Sequence, residues 1–132
     1  MNASEILKTH QLRVTSHRLK ILQMLAKSQC ALSEHDLEVE LLDNCDRTTI
    51  YRTLNTFFDE QIVHKLVDID GTTRYIYNEK KYHLPEHVHF KCNECGVISC
   101  LESVSVEHLL LPEGYTKTAA NFLVVGICND CN

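Results

Sequence analysis

The sequence predicts an α+β fold in two parts, a helical part closed by a β-hairpin and a smaller α/β part that follows it. Three observations predict this fold. Apolar residues recur at helical spacing in the first half, β-branched and aromatic residues take over from residue 62, and two Cys-x-x-Cys pairs lie near the end. A chain of 132 residues forms one domain or two small ones, and each small one would bury only a modest core.

Three helices are predicted in the first half. The segment SHRLKILQMLAKS has apolar residues close to a 3.6-residue period, with Ser16 as its N-cap. A second helix begins at Ser33, where Asp36 nearly completes a capping box. Asp46 is the predicted N-cap of a third helix. Its predicted apolar face consists of Ile50, Leu54, Phe57 and Phe58, and its polar face of Thr48, Thr49, Arg52, Asn55 and Thr56, with Tyr51 at the border.

A β-hairpin is predicted in the segment IVHKLVDIDGTTRYIYN, where Asp70-Gly71 is a strong turn signal. Three helices followed by a hairpin is the order of a winged helix-turn-helix domain, whose third helix enters the major groove of DNA. We therefore predict a winged-helix DNA-binding domain over residues 1–78. The polar segment NEKKYHLPEH, which contains Pro85, predicts a linker or hinge over residues 79–86.

Residues 87–132 are predicted to form the second domain. Short strands are expected in HVHFK, VISCLE and YTKTAANFLVVGIC, and a short helix in SVSVEHLLLPEG ends at Pro112. Two Cys-x-x-Cys turns, Cys92/Cys95 and Cys128/Cys131, suit one tetrahedral zinc ion. We predict one structural Zn²⁺ per chain, which would hold this small domain together. Buried thiols or a redox pair are the alternatives, although the βαβ context of a thioredoxin-like motif is absent.

Composition and charge narrow the function further. The formal net charge of −5 argues against a protein that coats nucleic acid through bulk charge. The excess of Asp and Glu over Lys and Arg lies mostly in residues 67–132 (5 − 9 = −4), whereas residues 1–66 are nearly balanced (8 − 9 = −1). An anionic partner is therefore expected at the first half. The sequence has neither an apolar run long enough to span a membrane nor the apolar core of a signal peptide. We therefore expect a cytoplasmic protein without a membrane partner, and reduced cysteines.

The chain resembles the ferric uptake regulator family. The segments RVTSHRLKILQML, TTIYRTLNTF, GTTRYIY, HVHFKCNECG and GICNDC occur in the order that this family shows, over roughly residues 8 to 131. The resemblance implies a dimeric repressor that is not an enzyme. Its N-terminal winged helix would bind an AT-rich palindromic DNA operator, its C-terminal domain would form the homodimer, and metal binding at the hinge would lock the DNA-binding form. The genes repressed would serve metal uptake and homeostasis.

The resemblance also implies roles for individual residues. Tyr51 and Arg52 match the family's recognition-helix pair, the tyrosine placed for thymine methyl groups and the arginine for phosphate or a base edge. Thr49 lies beside them. Arg13 matches a basic residue that enters an AT-rich minor groove, and Arg18 matches one that holds backbone phosphate. The structural zinc cysteines of the family correspond to Cys92, Cys95, Cys128 and Cys131.

A second, regulatory metal site is implied as well. His87 and His89 match the family's His-x-His pair, and alternate residues of a strand point to one face. His64 falls where zinc regulators place a wing ligand, and Cys100 falls where the family often has a carboxylate. Glu79 or His83 in the linker could join or replace one of these ligands. Three imidazoles and a thiolate suit Zn²⁺ better than Fe²⁺ or Mn²⁺.

Two departures from the iron-sensing pattern favour zinc. Ala31 and Ile76 occupy positions where the iron-type site has a histidine and a glutamate. Iron-responsive and peroxide-responsive regulators of the same family are the nearer alternatives. A zinc hydrolase or nucleobase deaminase is a distant one, because the sequence lacks that enzyme's H-x-E and P-C-x-x-C motifs. A zinc-containing interaction module with a degenerate winged helix is the remaining alternative, and it would not bind DNA in a salt-dependent way.

Overall fold

The computed structural model describes residues 2–28, 31–41, 45–79, 88–101, 104, 110–117, 120 and 122–132, apart from the side chain of Cys100. The elements in chain order are α1 (Ala3–Thr9), α2 (Ser16–Lys27), β1 (Leu32–Ser33), α3 (Glu34–Leu41), α4 (Arg47–Asp59), β2 (Val63–Val67), β3 (Thr73–Tyr77), β4 (Val88–Cys92), β5 (Ile98–Leu101) and β6 (Phe122–Gly126). None of the helices in these ranges combines the length and apolar character that a bilayer-spanning helix needs.

The first half of the chain is a winged helix. Helices α2, α3 and α4 pack on an antiparallel sheet of strand order β1-β3-β2, in which β2 and β3 are the predicted hairpin. Its turn follows the prediction, since Gly71 adopts a φ of 86° and donates its N–H to the Asp68 carbonyl. One apolar core joins helices and sheet. Its buried residues are Ile6, Leu7, Ile21, Leu22, Leu25, Leu37, Leu41, Ile50, Leu54, Phe57, Ile62, Val63 and Tyr75.

Side-chain caps begin the helices that the sequence predicts. Asp46 Oδ1 accepts the N–H of Thr49 at 2.7 Å, so the predicted N-cap of α4 is confirmed. Ser33 and Asp36 exchange hydrogen bonds of 2.9 and 3.1 Å between side chain and backbone, which completes the predicted capping box of α3.

Three details differ from the sequence predictions. Ser16 is not the N-cap of α2, because the Thr15 hydroxyl accepts the Arg18 N–H one residue earlier. Helix α1 was not predicted; it has only seven residues, and it packs Ile6 and Leu7 into the core. Placing Phe58 on the buried face of α4 was wrong, since this ring is 39% exposed and the Lys65 ammonium lies 4.3 Å from its centroid.

The second half contains a three-stranded sheet of order β5-β4-β6. Strand β4 pairs antiparallel with β5 and parallel with β6. The three predicted strands are therefore present, although β6 covers only the end of YTKTAANFLVVGIC. The Phe90 ring of β4 lies over Gly126 of β6, where an added Cβ atom would come 3.4 Å from the ring. Most of the predicted linker, and residues 105–109 of the predicted helix that ends at Pro112, lie outside the described residues.

Candidate metal centres and DNA-binding surface

Strands β4 and β6 bring the two Cys-x-x-Cys turns together. Cys92 ends β4 opposite Gly126 in the parallel register, and Cys128 lies two residues after Gly126. The sulfur atoms of Cys92, Cys95, Cys128 and Cys131 all lie within 4.8 Å of one another, and those of Cys95 and Cys128 are 3.8 Å apart. Zn–S bonds of 2.3 Å place tetrahedral sulfur atoms roughly 3.8 Å apart, so the cluster has the size that zinc requires.

The backbone of both turns supports this arrangement. Gly96 adopts a φ of 77° and donates its N–H to the Cys92 carbonyl, which folds the first turn back on itself. The Cys92 sulfur accepts backbone N–H groups from Cys128 at 3.4 Å and from Cys95 at 3.5 Å. These donors favour a thiolate, which is the form of cysteine that binds metal.

Electrostatics of the cluster point to a cation. Hydrogen bonds from the backbone N–H groups of Cys128 and Cys95 lower the pKa of Cys92 to about 6. Contacts with the sulfur atoms of Cys128, Cys95 and Cys92 raise the pKa of Cys131 to about 12. Adjacent thiolates repel one another, so four of them ionise together only around a cation. The donor set and its spacing therefore fit a structural Zn²⁺ ion.

A second group of candidate ligands lies where the two halves meet. His64 of β2 and His89 of β4 have ring centroids 6.3 Å apart, with the rings inclined at 63°. His89 is buried, at 4% exposure, and His64 is half-buried. Two imidazoles on one zinc ion, with Zn–N bonds near 2.0 Å, have centroids roughly 5 Å apart. The observed separation of the two ring centroids exceeds this value by about 1 Å.

The other predicted regulatory ligands are only partly described. The antiparallel register pairs Cys100 with His89, while the side chain of Cys100 lies outside the described part. His87 and His83 also lie outside it. Glu79 is exposed, two residues after the end of β3. Within the described residues, the four cysteines are the one group of three or more potential ligands that are this close together.

The predicted DNA-contact residues lie on α4, on α2 and in the segment before α2. On α4, Tyr51 is 52% exposed and Arg52 is exposed, whereas Thr49 is half-buried behind the Asp46 cap. Arg13 is exposed in the segment before α2. The half-buried Arg18 donates from Nη1 to the Arg13 carbonyl at 2.8 Å, so these two arginines are linked through the backbone.

An ion pair between the halves was missed by the sequence prediction. Asp68 follows β2, and its Oδ2 atom lies 2.7 Å from the Lys91 ammonium of β4 and 2.9 Å from Nε of Arg74. Burial by itself would raise the pKa of Asp68, but hydrogen bonds from Lys91, the Ile69 N–H and Arg74 outweigh it and lower this pKa. Asp68 and Lys91 lie 23 residues apart in two different predicted strand segments, and no spacing rule in the sequence pairs them.

The chain is similar to known metal regulators. A model of the ferric uptake regulator family matches residues 9–119. The ferric uptake regulation protein of Campylobacter upsaliensis is 30% identical over an alignment of 141 positions, which covers 97% of this chain and 85% of that protein. The zinc uptake regulation protein of Escherichia coli strain K12 is 27% identical over an alignment of 139 positions, which covers 98% of this chain and 78% of that protein.

A solved structure of a zinc uptake regulator complexed with zinc and DNA has the same fold. It superposes with a TM-score of 0.69 at 21% identity, over 98% of this chain and 89% of that chain. The family model covers most of the present sequence, including the winged helix and the first Cys-x-x-Cys turn. The chain therefore belongs to the ferric uptake regulator family and is a metal-responsive transcriptional regulator rather than an enzyme.

Proposed function

We propose that this regulator is a homodimeric, zinc-responsive repressor that binds AT-rich palindromic operators of metal uptake and homeostasis genes. The observation that carries the proposal is the contact between His64 and His89, whose rings lie 6.3 Å apart. One residue lies on the wing and the other on the C-terminal sheet. A metal ion bound by both would hold the two halves at one spacing.

The proposed DNA contacts are supported by the exposure of residues on α4 and in the segment before α2. Tyr51 and Arg52 would enter the major groove, with Thr49 beside them, and contact thymine methyl groups, base edges or phosphate. Arg13 would enter an AT-rich minor groove, and Arg18 would bind phosphate. The hydrogen bond from Arg18 to the Arg13 carbonyl supports a joint role for these two side chains.

Zinc is proposed at two sites. One ion would be held by Cys92, Cys95, Cys128 and Cys131, whose spacing fits tetrahedral thiolate coordination. The regulatory ion would be held by His64, His87, His89 and Cys100, with Glu79 or His83 joining or replacing one of them. Nitrogen and sulfur donors favour Zn²⁺. Fe²⁺ or Mn²⁺ is the second candidate at the regulatory site, because the relatives include ferric uptake regulation proteins.

The proposed mechanism is a change in the spacing of two winged helices. Residues 1–78 and 87–132 would act as two domains joined by a hinge over residues 79–86. A regulatory ion bound by ligands of both domains favours only the closed arrangement, and so shifts the population toward it. In a two-fold dimer, the closed arrangement would present two recognition helices to successive major grooves of a palindrome.

Exposed apolar residues in the second half support the homodimer. Leu110 is 88% exposed, Tyr115 is 68% exposed, and Val124 on the edge strand β6 is 49% exposed. These apolar side chains, exposed in the single chain, are the ones that a homodimer interface in this half would bury. The free thiols of Cys45 and the four clustered cysteines, together with the proposed DNA partner, favour a cytoplasmic protein.

Metal content and operator binding test this proposal together. Purified protein should hold two zinc ions per chain, and mild chelation should remove one ion and abolish DNA binding until Zn²⁺ is restored. The H64A variant should keep the structural ion and need more Zn²⁺ to bind DNA. The matched control is H35A, because the His35 side chain is 81% exposed and should behave as wild type. Binding restored by Fe²⁺ or Mn²⁺ but not by Zn²⁺ would show that the metal assignment is wrong.

A further inference from the structure

Three residues contact the second half of the chain from one side of β2 and the position that follows it. His64, Leu66 and Asp68 alternate along the chain, so they project from the same side. His64 faces the His89 ring, Leu66 shares a buried cluster with Ile98, and Asp68 pairs with Lys91. Only the first of these contacts involves predicted metal ligands.

The ionic contact is largely shielded from water. The Asp68 side chain is 2% exposed and that of Lys91 is 29% exposed. Arg74 also binds Asp68, and its Nη1 atom lies 3.4 Å from Asp36 Oδ2 of α3. The Asp68 carboxylate therefore keeps one cationic partner within its own half when Lys91 is replaced, and the winged helix should still fold.

The apolar contact lies next to the ion pair. Leu66, Ala31 and Ile98 are each at most 3% exposed, and Ile76 packs against them. Ile98 pairs with Lys91 across the antiparallel β4–β5 register. The two contacts therefore reach the same part of the C-terminal sheet, and both are made by protein side chains that are not predicted metal ligands.

We propose that Lys91 is a positioning residue, which holds the winged helix in the closed arrangement through Asp68 independently of the regulatory metal. This inference rests on the proposed hinge mechanism, because the ion pair and the metal act on the same equilibrium between open and closed forms. A protein that is partly closed beforehand binds its regulatory ion more tightly, since the apparent dissociation constant varies inversely with the closed fraction. Lys91 therefore tunes the zinc concentration at which the repressor responds.

The test compares K91M, which keeps the apolar stem of the side chain, with K117M. Lys117 is an exposed lysine of the same half and is not among the ion-pair partners of Asp68, so K117M removes the same charge without touching this ion pair. Three quantities would be measured on the full-length proteins: the structural zinc content, the affinity of the second zinc ion, and the radius of gyration by small-angle X-ray scattering without the second ion.

K91M should keep one tightly bound zinc ion, bind the second at least about fivefold more weakly, and scatter as a more extended particle. K117M should match wild type. Unchanged scattering and second-site affinity in K91M would overturn the proposal. Loss of the tight zinc ion in K91M would also overturn it, because Lys91 would then act through the adjacent Cys92.

A double-mutant cycle with D68N identifies the partner. The effects of K91M and D68N on second-site affinity should be non-additive, and additive effects would exclude Asp68 as the group through which Lys91 acts. Failure of the proposed function can be distinguished from failure of the inference about Lys91. If no metal promotes DNA binding by the wild-type protein, the repressor mechanism fails, while the scattering comparison still decides whether Lys91 holds the two halves together.

Discussion

Replacing Cys128 by serine should unfold the second half of the chain while the winged helix remains folded. Cys128 lies two residues after the end of β6, its sulfur is 3.8 Å from that of Cys95, and its N–H donates to the sulfur of Cys92. The residue thus attaches the end of β6 to the end of β4. Serine is a poor zinc ligand, so C128S removes one of four coordinate bonds.

The expected loss of stability follows from the free energy of zinc binding and from the size of the buried core in each half. A structural zinc ion contributes about 10–16 kcal/mol of apparent binding free energy, and three remaining ligands should not hold it tightly. Beyond residue 87, the buried described residues are Val88, His89, Cys92 and Ile98. A core this small provides little stability of its own. Once the ion is lost, this half loses the whole zinc contribution, which is more than its small core can offset. The buried described residues of the winged-helix core all lie between Ile6 and Tyr75, with Tyr77 packed against them.

Zinc content, limited proteolysis and circular dichroism would check this expectation. C128S should lose the tight zinc ion and be cleaved after residue 87, and its helical signal should melt close to the wild-type temperature. The matched control is C45S, because Cys45 is a half-buried thiol of the winged helix away from the cluster. A C128S protein with full zinc content and wild-type protease resistance would refute a structural role for the four cysteines.

Three further substitutions test the fold and the DNA-binding surface. R52A should weaken operator binding by about 1–3 kcal/mol in a mobility-shift titration without lowering the unfolding temperature, because Arg52 is exposed; an affinity within twofold of wild type would contradict its role. L54A should cost about 2–5 kcal/mol of unfolding free energy in urea, since Leu54 is fully buried, whereas V39A at a 57% exposed position should cost little; equal costs would be inconsistent with this packing. G96A should weaken the tight zinc site by about 1 kcal/mol in a chelator competition, because a φ of 77° is strained for alanine. The cost is limited to this backbone strain, since an added Cβ would meet no atom within 4 Å. Unchanged affinity would show that the first turn tolerates other conformations.

Much of the winged helix could be predicted because its signals are local. The Asp46 cap, the Ser33/Asp36 box and the Asp70-Gly71 turn each depend on residues at most three apart in the chain. The same locality explains the errors. Thr15 and Ser16 are both good caps, and local preference does not decide between them.

Helix α1 and Phe58 show where local signals stop. A helix of seven residues is not stable alone, so α1 depends on burying Ile6 and Leu7 against the core. Phe57 and Phe58 are adjacent and equally apolar, but only Phe57 faces the core, and Phe58 instead contacts Lys65 of the wing. Neither helix propensity nor residue spacing predicts that α1 forms or that Phe58 lies outside the core.

The sequence by itself determined the order of elements, the two Cys-x-x-Cys turns and the candidate histidines, because spacing along the chain defines helix faces, turns and ligand pairs. Only the tertiary structure decided which of these groups meet. Parallel pairing of β4 with β6 joins cysteines 36 residues apart, and packing of β2 against the second half sets His64 beside His89 and Asp68 beside Lys91. Such contacts depend on how sheets pack against each other, and packing is a property of the whole chain rather than of any segment.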